Sequence, residues 1–182
     1  MSEGELLQIE KSRGVNLNEE IYFEIIRQKT ATLIASCCAC GASSAGCDDE
    51  MIERMRLIGE KIGIAFQIKD DLFDYGLGGK IGKPTGIDIK EKKSTLPLIY
   101  ALNNSSNGEK RAMLRIVKKD NKKKAEIEKV IQYVLDSGGI EYADQKMRAL
   151  SSEATAEIMQ LPSGEARDSL VALVEFTINR EK

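Results

Sequence analysis

Apolar residues recur at helical spacing along almost the whole chain, and no segment alternates apolar and polar residues with a period of two. The three prolines, Pro84, Pro97 and Pro162, fall at loop or helix edges, where a missing N–H is tolerated. This pattern leaves no place for a sheet and predicts an all-α fold. The length of 182 residues suffices for one domain with a real core. A first helix is expected to be under way at Met1, carrying Leu6, Leu7 and Ile9 and stopping near Gly14. Asn16 or Asn18 caps the next, which runs through Tyr22, Ile25, Ile26, Lys29 and Leu33. A third spans the region from Asp48 to Tyr75, with Gly76 suited to the left-handed position beyond it. Helical spacing returns at 95–103, 109–119, 125–137, 140–160 and 165–180.

Composition removes several chemistries. There are no histidines, so His-based triads, His general bases and His-ligated zinc are excluded. Cys37 and Cys40 have metal-like spacing, but no second such pair exists among Cys38 and Cys47. They lie in a uniformly small stretch, 35–46, which reads as a face for close helix packing with cysteine acting as a small buried hydrophobe. A net charge of −2 gives no global field for nucleic acid, and the run Lys118, Lys119, Lys122, Lys123 and Lys124 reads as a solvated turn. No stretch of about 18 apolar residues predicts a transmembrane segment. Met1 to Glu10 lacks the pattern of a secretory signal, which makes the cytoplasm the default location.

The chemistry concentrates at Gln67, Asp70, Asp71 and Asp74. On one helix these four fall within an arc of roughly 100°. Like charges at i, i+3 and i, i+4 repel, and the helix end is where the dipole disfavours anions. A bound divalent cation would remove that penalty, and Mg²⁺ prefers carboxylate oxygens completed by water and phosphate. Beyond the helix lies the least regular segment, 76–94, with five glycines and five lysines: Lys80, Lys83, Lys90, Lys92 and Lys93. A loop of this length is functional or disordered, and it is expected to be mobile without ligand. Lysines beside a carboxylate–metal site suit a diphosphate.

The run from Gly63 to Tyr75, G-I-A-F-Q-I-K-D-D-L-F-D-Y, resembles the second Asp-rich motif of trans-polyprenyl diphosphate synthases. Four further matches follow the order and spacing of that family: Gly4-Glu5-Leu6-Leu7-Gln8, Lys29-Thr30-Ala31, Gly82-Lys83-Pro84-Thr85-Gly86-Ile87-Asp88, and Lys93-Ser94-Thr95-Leu96-Pro97-Leu98. The likeness is to the octaprenyl and heptaprenyl diphosphate synthase type.

The resemblance implies an antiparallel helix bundle of the isoprenoid synthase type, with about seven or eight helices here and the fold's N-terminal helices absent. Residues 1–182 would be the C-terminal portion of a single synthase domain. It implies head-to-tail condensation of an allylic diphosphate with isopentenyl diphosphate after Mg²⁺-assisted ionisation. Asp70, Asp71 and Asp74 would serve the metal, and Lys29, Lys83 and Lys93 the diphosphate. Thr30 and Gln67 would steady the carbocation, and Asp88 would order the loop. The family carries a second D-D-x-x-D upstream of G-E-x-x-Q, and this sequence holds only one such motif. The chain alone is therefore expected to be inactive. The resemblance also implies a homodimer, consistent with apolar faces at Leu6, Leu7, Ile25, Ile26 and Leu33 that would lack cover. The competing readings are a non-catalytic short partner of a synthase and another class I terpenoid synthase.

Overall fold

The structure, a computed structural model, describes residues 2–12, 15–76 and 85–180. Among them there is no strand. The helices are α1 (Ser2–Ser12), α2 (Glu19–Ile26), α3 (Thr32–Ser44), α4 (Asp49–Phe73), α5 (Ile87–Lys90), α6 (Leu96–Asn103), α7 (Asn107–Lys118), α8 (Lys124–Asp136), α9 (Gly139–Ile158) and α10 (Glu165–Asn179). A π-helical segment, Arg27–Ala31, joins α2 to α3 into one continuous rod. With that rod counted once and the four-residue α5 set aside, eight helices form the bundle among the described residues, as the periodicity predicts.

The helix starts follow from capping. The Asn18 side chain accepts hydrogen bonds from the Glu20 and Ile21 N–H groups, and Asp48 accepts from the Met51 N–H. Asn16 instead accepts from the Asn18 N–H, steadying the cap rather than forming it. Gly76 takes φ +88° directly after α4, the left-handed exit expected of it.

The long helix α4 is the spine, with α3 along one side and α9 along the other. Its C-terminal half buries Ala65, Ile68 and Leu72 in the main core, together with Tyr22, Ile26, Leu96, Leu98, Ile99, Leu102, Val130, Val134 and Met147. Its N-terminal half places Ile58 and Ile62 in a smaller cluster with Ala154, Ile158 and Val174 of α9 and α10. Each such aliphatic side chain contributes roughly 1.5–3 kcal/mol on burial.

Two crossings are backbone against backbone. A Cβ on Gly63 would lie 2.5 Å from the Ala31 Cα, and one on Gly4 would lie 2.5 Å from the Lys29 N. Both crossings grip the π segment, one from α4 and one from α1. The small-residue stretch does pack closely, but through alanines: Ala35 and Ala42 are buried. Cys37 and Cys40 are exposed, and Cys38 and Cys47 are half-buried, so the cysteines are not the buried hydrophobes expected of them. Helix α3 turns its alanines toward α4 and its Cys37 edge outward.

Leu6 (66%) and Leu33 (50%) are exposed as expected, while Ile26 is buried in the core rather than on an open face. Among the described residues no helix is long and apolar enough to cross a membrane. The lysine run forms the turn from α7 to α8, where Lys119 pairs with Glu126 and Lys92 pairs with Asp120.

Candidate active site

A polar cleft of about 240 Å³ is lined by Gln8, Lys29, Gln67, Asp70, Asp71, Asp88 and Lys93. Four separate parts of the chain build it: α1, the π segment, the last turns of α4, and the stretch around α5. Of the residues singled out from the sequence, Lys29, Gln67, Asp70, Asp71 and Lys93 meet here. Thr30 and Asp74 are not on the cleft wall, and Lys83 lies outside the described residues, as do residues 77–84 of the loop expected to be mobile. Within 85–94 the chain is organised, with α5 at its centre.

The wall is a connected hydrogen-bond chain. Thr30 Oγ1 donates to Gln67 Oε1 at 2.8 Å, and Gln67 Nε2 donates to Asp71 Oδ1 at 3.1 Å. Tyr22 OH donates to the other oxygen, Asp71 Oδ2, at 2.9 Å. Thr30 thus reaches the cleft through Gln67. Gln67 and Asp71 are i, i+4 on α4, which puts them on one face. Tyr22 carries no motif, and its contact spans 49 residues of sequence, so nothing local marks it as part of the site.

Lys29 Nζ donates to Gln8 Oε1 at 2.9 Å and pairs with Glu5 Oε1 at 2.8 Å. The G-E-x-x-Q helix therefore holds the cleft lysine through both its named polar residues. Lys93 Nζ pairs with Asp88 at 3.0 Å and with Glu91 at 2.8 Å. Burial pulls the Lys93 ammonium down, but the Glu91 and Asp88 carboxylates outweigh it and hold the group above the usual lysine range.

Asp74 has a different position from the other two aspartates of its motif. It is buried, and its oxygens accept from the Ile87 N–H at 2.9 Å and the Asp88 N–H at 3.1 Å. Its carbonyl accepts from the Gly86 N–H at 2.9 Å. Asp74 thereby seats the segment that carries Asp88 and Lys93, and Asp88 stands in the cleft where the motif spacing alone puts Asp74. Asp88 Oδ1 accepts from Lys93 Nζ at 3.0 Å within the cleft.

Asp71 is 7% exposed, and burial pushes its carboxyl up to about 7. The Asp88 charge adds to the rise, the Gln67 and Tyr22 hydrogen bonds oppose it, and the Asp70 charge adds again. Tyr22 is held well above its ordinary value by burial first and by Asp71 second. A carboxyl whose folded value is raised binds more protons folded than unfolded. Its contribution to stability is full below about pH 4 and lost as pH rises through about 7. In metal-free buffer, the stability difference between the wild type and Asp71→Asn should therefore shift in favour of the variant between those limits. The shift should be on the order of 4 kcal/mol. Urea midpoints of both proteins at several pH values check this, and parallel profiles would contradict it.

Among the described residues no three carboxylates or thiols stand close enough to hold an ion between them. The donor chemistry nevertheless fits a hard divalent cation. Asp70, Asp71 and Asp88 are oxygen donors lining one cleft, and the Asp88 and Asp70 charges that add to the burial-driven rise at Asp71 are what a cation would neutralise. Mg²⁺ is commonly held by one or two carboxylates, with water and phosphate oxygens completing its shell. Asp70 and Asp71 can serve it in that way.

Known proteins are similar to this chain over nearly its whole length. The chain is 31% identical to the octaprenyl diphosphate synthase of Escherichia coli, over 100% of this chain and 56% of that protein. It is 32% identical to the nonaprenyl diphosphate synthase of Mycobacterium tuberculosis, over 95% of this chain and 52% of that one. The crystal structure of geranylgeranyl pyrophosphate synthase from Bacteroides thetaiotaomicron superposes with a TM-score of 0.90 at 38% identity, covering 98% of this chain and 59% of that chain. A polyprenyl synthase from Caulobacter crescentus, solved with calcium and isoprenyl diphosphate, superposes with a TM-score of 0.90 at 33% identity, covering 100% and 56%. The chain thus spans about half the length of the relatives it matches. The sequence pattern of the polyprenyl synthetase family covers residues 1–134, a stretch that holds every residue of the cleft wall, and the chain belongs to that family.

Proposed function

We propose that this chain supplies the diphosphate-ionising wall of a trans-prenyl diphosphate synthase, which joins an allylic diphosphate to isopentenyl diphosphate. The observation that carries the reading is one cleft in which Asp70 and Asp71 face Lys29 and Lys93. Bound Mg²⁺ would supply the pull on diphosphate oxygens as the C–O bond ionises. Asp70 and Asp71 would hold it. Lys29 and Lys93, now paired with carboxylates on mobile-length side chains, would turn their ammonium groups to the diphosphate and stabilise its growing charge. Gln67, oriented by the Thr30 hydroxyl, would present its amide oxygen to the allylic cation. Asp74 would keep Asp88 and Lys93 in place. The Caulobacter relative, holding both a divalent cation and an isoprenyl diphosphate, supports this pairing of ligands. A cytoplasmic homodimer is part of the proposal, in keeping with the exposed Leu6 and Leu33.

Calorimetry with Mg²⁺ and inorganic pyrophosphate tests the assignment. Mg²⁺ alone should bind weakly, because it keeps its waters unless phosphate oxygens join. Pyrophosphate should strengthen it, and Asp70→Asn/Asp71→Asn should remove the effect. Asp74→Asn should weaken it less than the double variant does, since asparagine keeps one acceptor oxygen for the Ile87 and Asp88 N–H groups but sets its NH2 against the other. Equal binding by the double variant and the wild type would sink the proposal.

A further inference from the structure

Arg180, just past α10, reaches across to the end of α4, 110 residues away in sequence. Its Nη2 donates to Asp70 Oδ1 at 2.6 Å and to the Phe66 carbonyl at 3.2 Å. The guanidinium carbon lies 3.9 Å from the centre of the Phe66 ring and 5.5 Å from that of Phe73. The Arg180 side chain is 18% exposed, against 42% for Asp70. Its Nε is buried and has no hydrogen-bond partner. A planar group stacked on one ring, flanked by a second and bonded at two points has little freedom to turn. The carboxylate it grips is fixed as well.

We infer that Arg180 is the positioning residue for Asp70. It ties Oδ1 on the α10 side and leaves Oδ2 as the oxygen that Asp70 offers to the cleft. Carboxylates that bind a metal through one oxygen depend on hydrogen bonds to the rest of the group, and loss of such a partner costs about 10–100-fold in metal affinity. Arg180 also answers the local charge problem, since Asp70 is an anion in the last turns of α4, where the helix dipole opposes it. Lysine could match that charge but not the planar stack or the two-point contact. A cation beside a metal site opposes the metal by like charge. The fixed geometry of Asp70 outweighs that opposition here, because the guanidinium charge is already spent on Oδ1 and on the two aromatic faces.

The inference rests on the proposed cation–pyrophosphate cleft, and its test separates the two. Mn²⁺ binding in the presence of inorganic pyrophosphate is followed by electron paramagnetic resonance for the wild type, Asp70→Asn, Arg180→Met and Arg180→Lys. Pyrophosphate binding without metal is measured in parallel. Arg180→Met should weaken Mn²⁺ binding about 10–100-fold while leaving metal-free pyrophosphate binding unchanged. Arg180→Lys should recover only part of the loss. An equal fall in both kinds of binding would assign Arg180 a merely structural role and overturn the inference, as would full recovery with lysine or tighter Mn²⁺ binding by Arg180→Met. Binding lost in Asp70→Asn but unchanged in Arg180→Met would overturn the Arg180 role alone. Wild-type binding no better than Asp70→Asn would overturn the cleft assignment and the Arg180 role with it.

Discussion

Gly63→Val is expected to move the urea unfolding midpoint far below that of the wild type. The Cβ of any residue at 63 would stand 2.5 Å from the Ala31 Cα and 2.9 Å from the Ala31 Cβ. Neither atom can move without moving the π segment, which Gly4 of α1 holds from another side. Overpacking commonly costs 1–3 kcal/mol and occasionally more. Here a branched side chain meets backbone, so a loss of about 3 kcal/mol or more is expected, against a total stability of roughly 5–15 kcal/mol. Gly41→Ala is the matched control. It lies inside α3 with nothing within 4 Å of its would-be Cβ, and it should gain about 0.5–1 kcal/mol from helix propensity. Urea titration followed by circular dichroism checks both. A wild-type midpoint for Gly63→Val would show that α4 does not meet the rod backbone to backbone at Ala31.

The 182-residue chain by itself is expected to give no condensation of an allylic diphosphate with isopentenyl diphosphate above a protein-free background. The cleft has one acidic wall, and the sequence holds one D-D-x-x-D. The relatives to which it is similar are nearly twice as long. A diphosphate held from one side can be bound without being ionised. Binding and turnover should therefore separate, with Mg²⁺-dependent pyrophosphate binding retained and product absent. The exposed Leu6, Ile9 and Leu33 should also drive association, so light scattering should show a dimer or larger species. Turnover by the purified chain would mean that one wall suffices or that a second copy completes it. A monodisperse monomer would refute the association.

The elements were legible because their ends are written locally. Asn18, Asp48 and Gly76 mark boundaries through capping or left-handed backbone, and these effects act within a few residues. Asp70, Asp71 and Gln67 were legible as one face because α-helical spacing fixes it. The direction in which Asp74 turns was not. A D-D-x-x-D gives angular position on a helix, but the backbone N–H groups of Ile87 and Asp88 that capture Asp74 lie 13 and 14 residues away, past the end of that helix. Tyr22 and Arg180 were invisible for the same reason at longer range, since each acquires its partner only when the bundle closes. The cysteines misled because residue size predicts which positions can be buried, whereas the crossing angle of α3 on α4 decides which are.

The π segment has a consequence for how this site can change over generations. A π turn closes over one residue more than an α turn: the Thr32 N–H and hydroxyl both reach the Arg27 carbonyl, five residues back. That extra residue sets the angular phase between the α2 half of the rod, with Tyr22, and the α3 half, packed on α4. Losing any one residue from 27–31 would let the rod relax into regular α-helix and rotate α2 by about 100°. Tyr22 would swing away from Asp71, and Glu19 would leave the Tyr142 hydroxyl that now donates to it at 2.8 Å. Side chains on this rod can be exchanged one at a time, but its length is quantised. A lineage that deletes a single codon there loses the phase of the site at once, and no substitution elsewhere in the rod restores it.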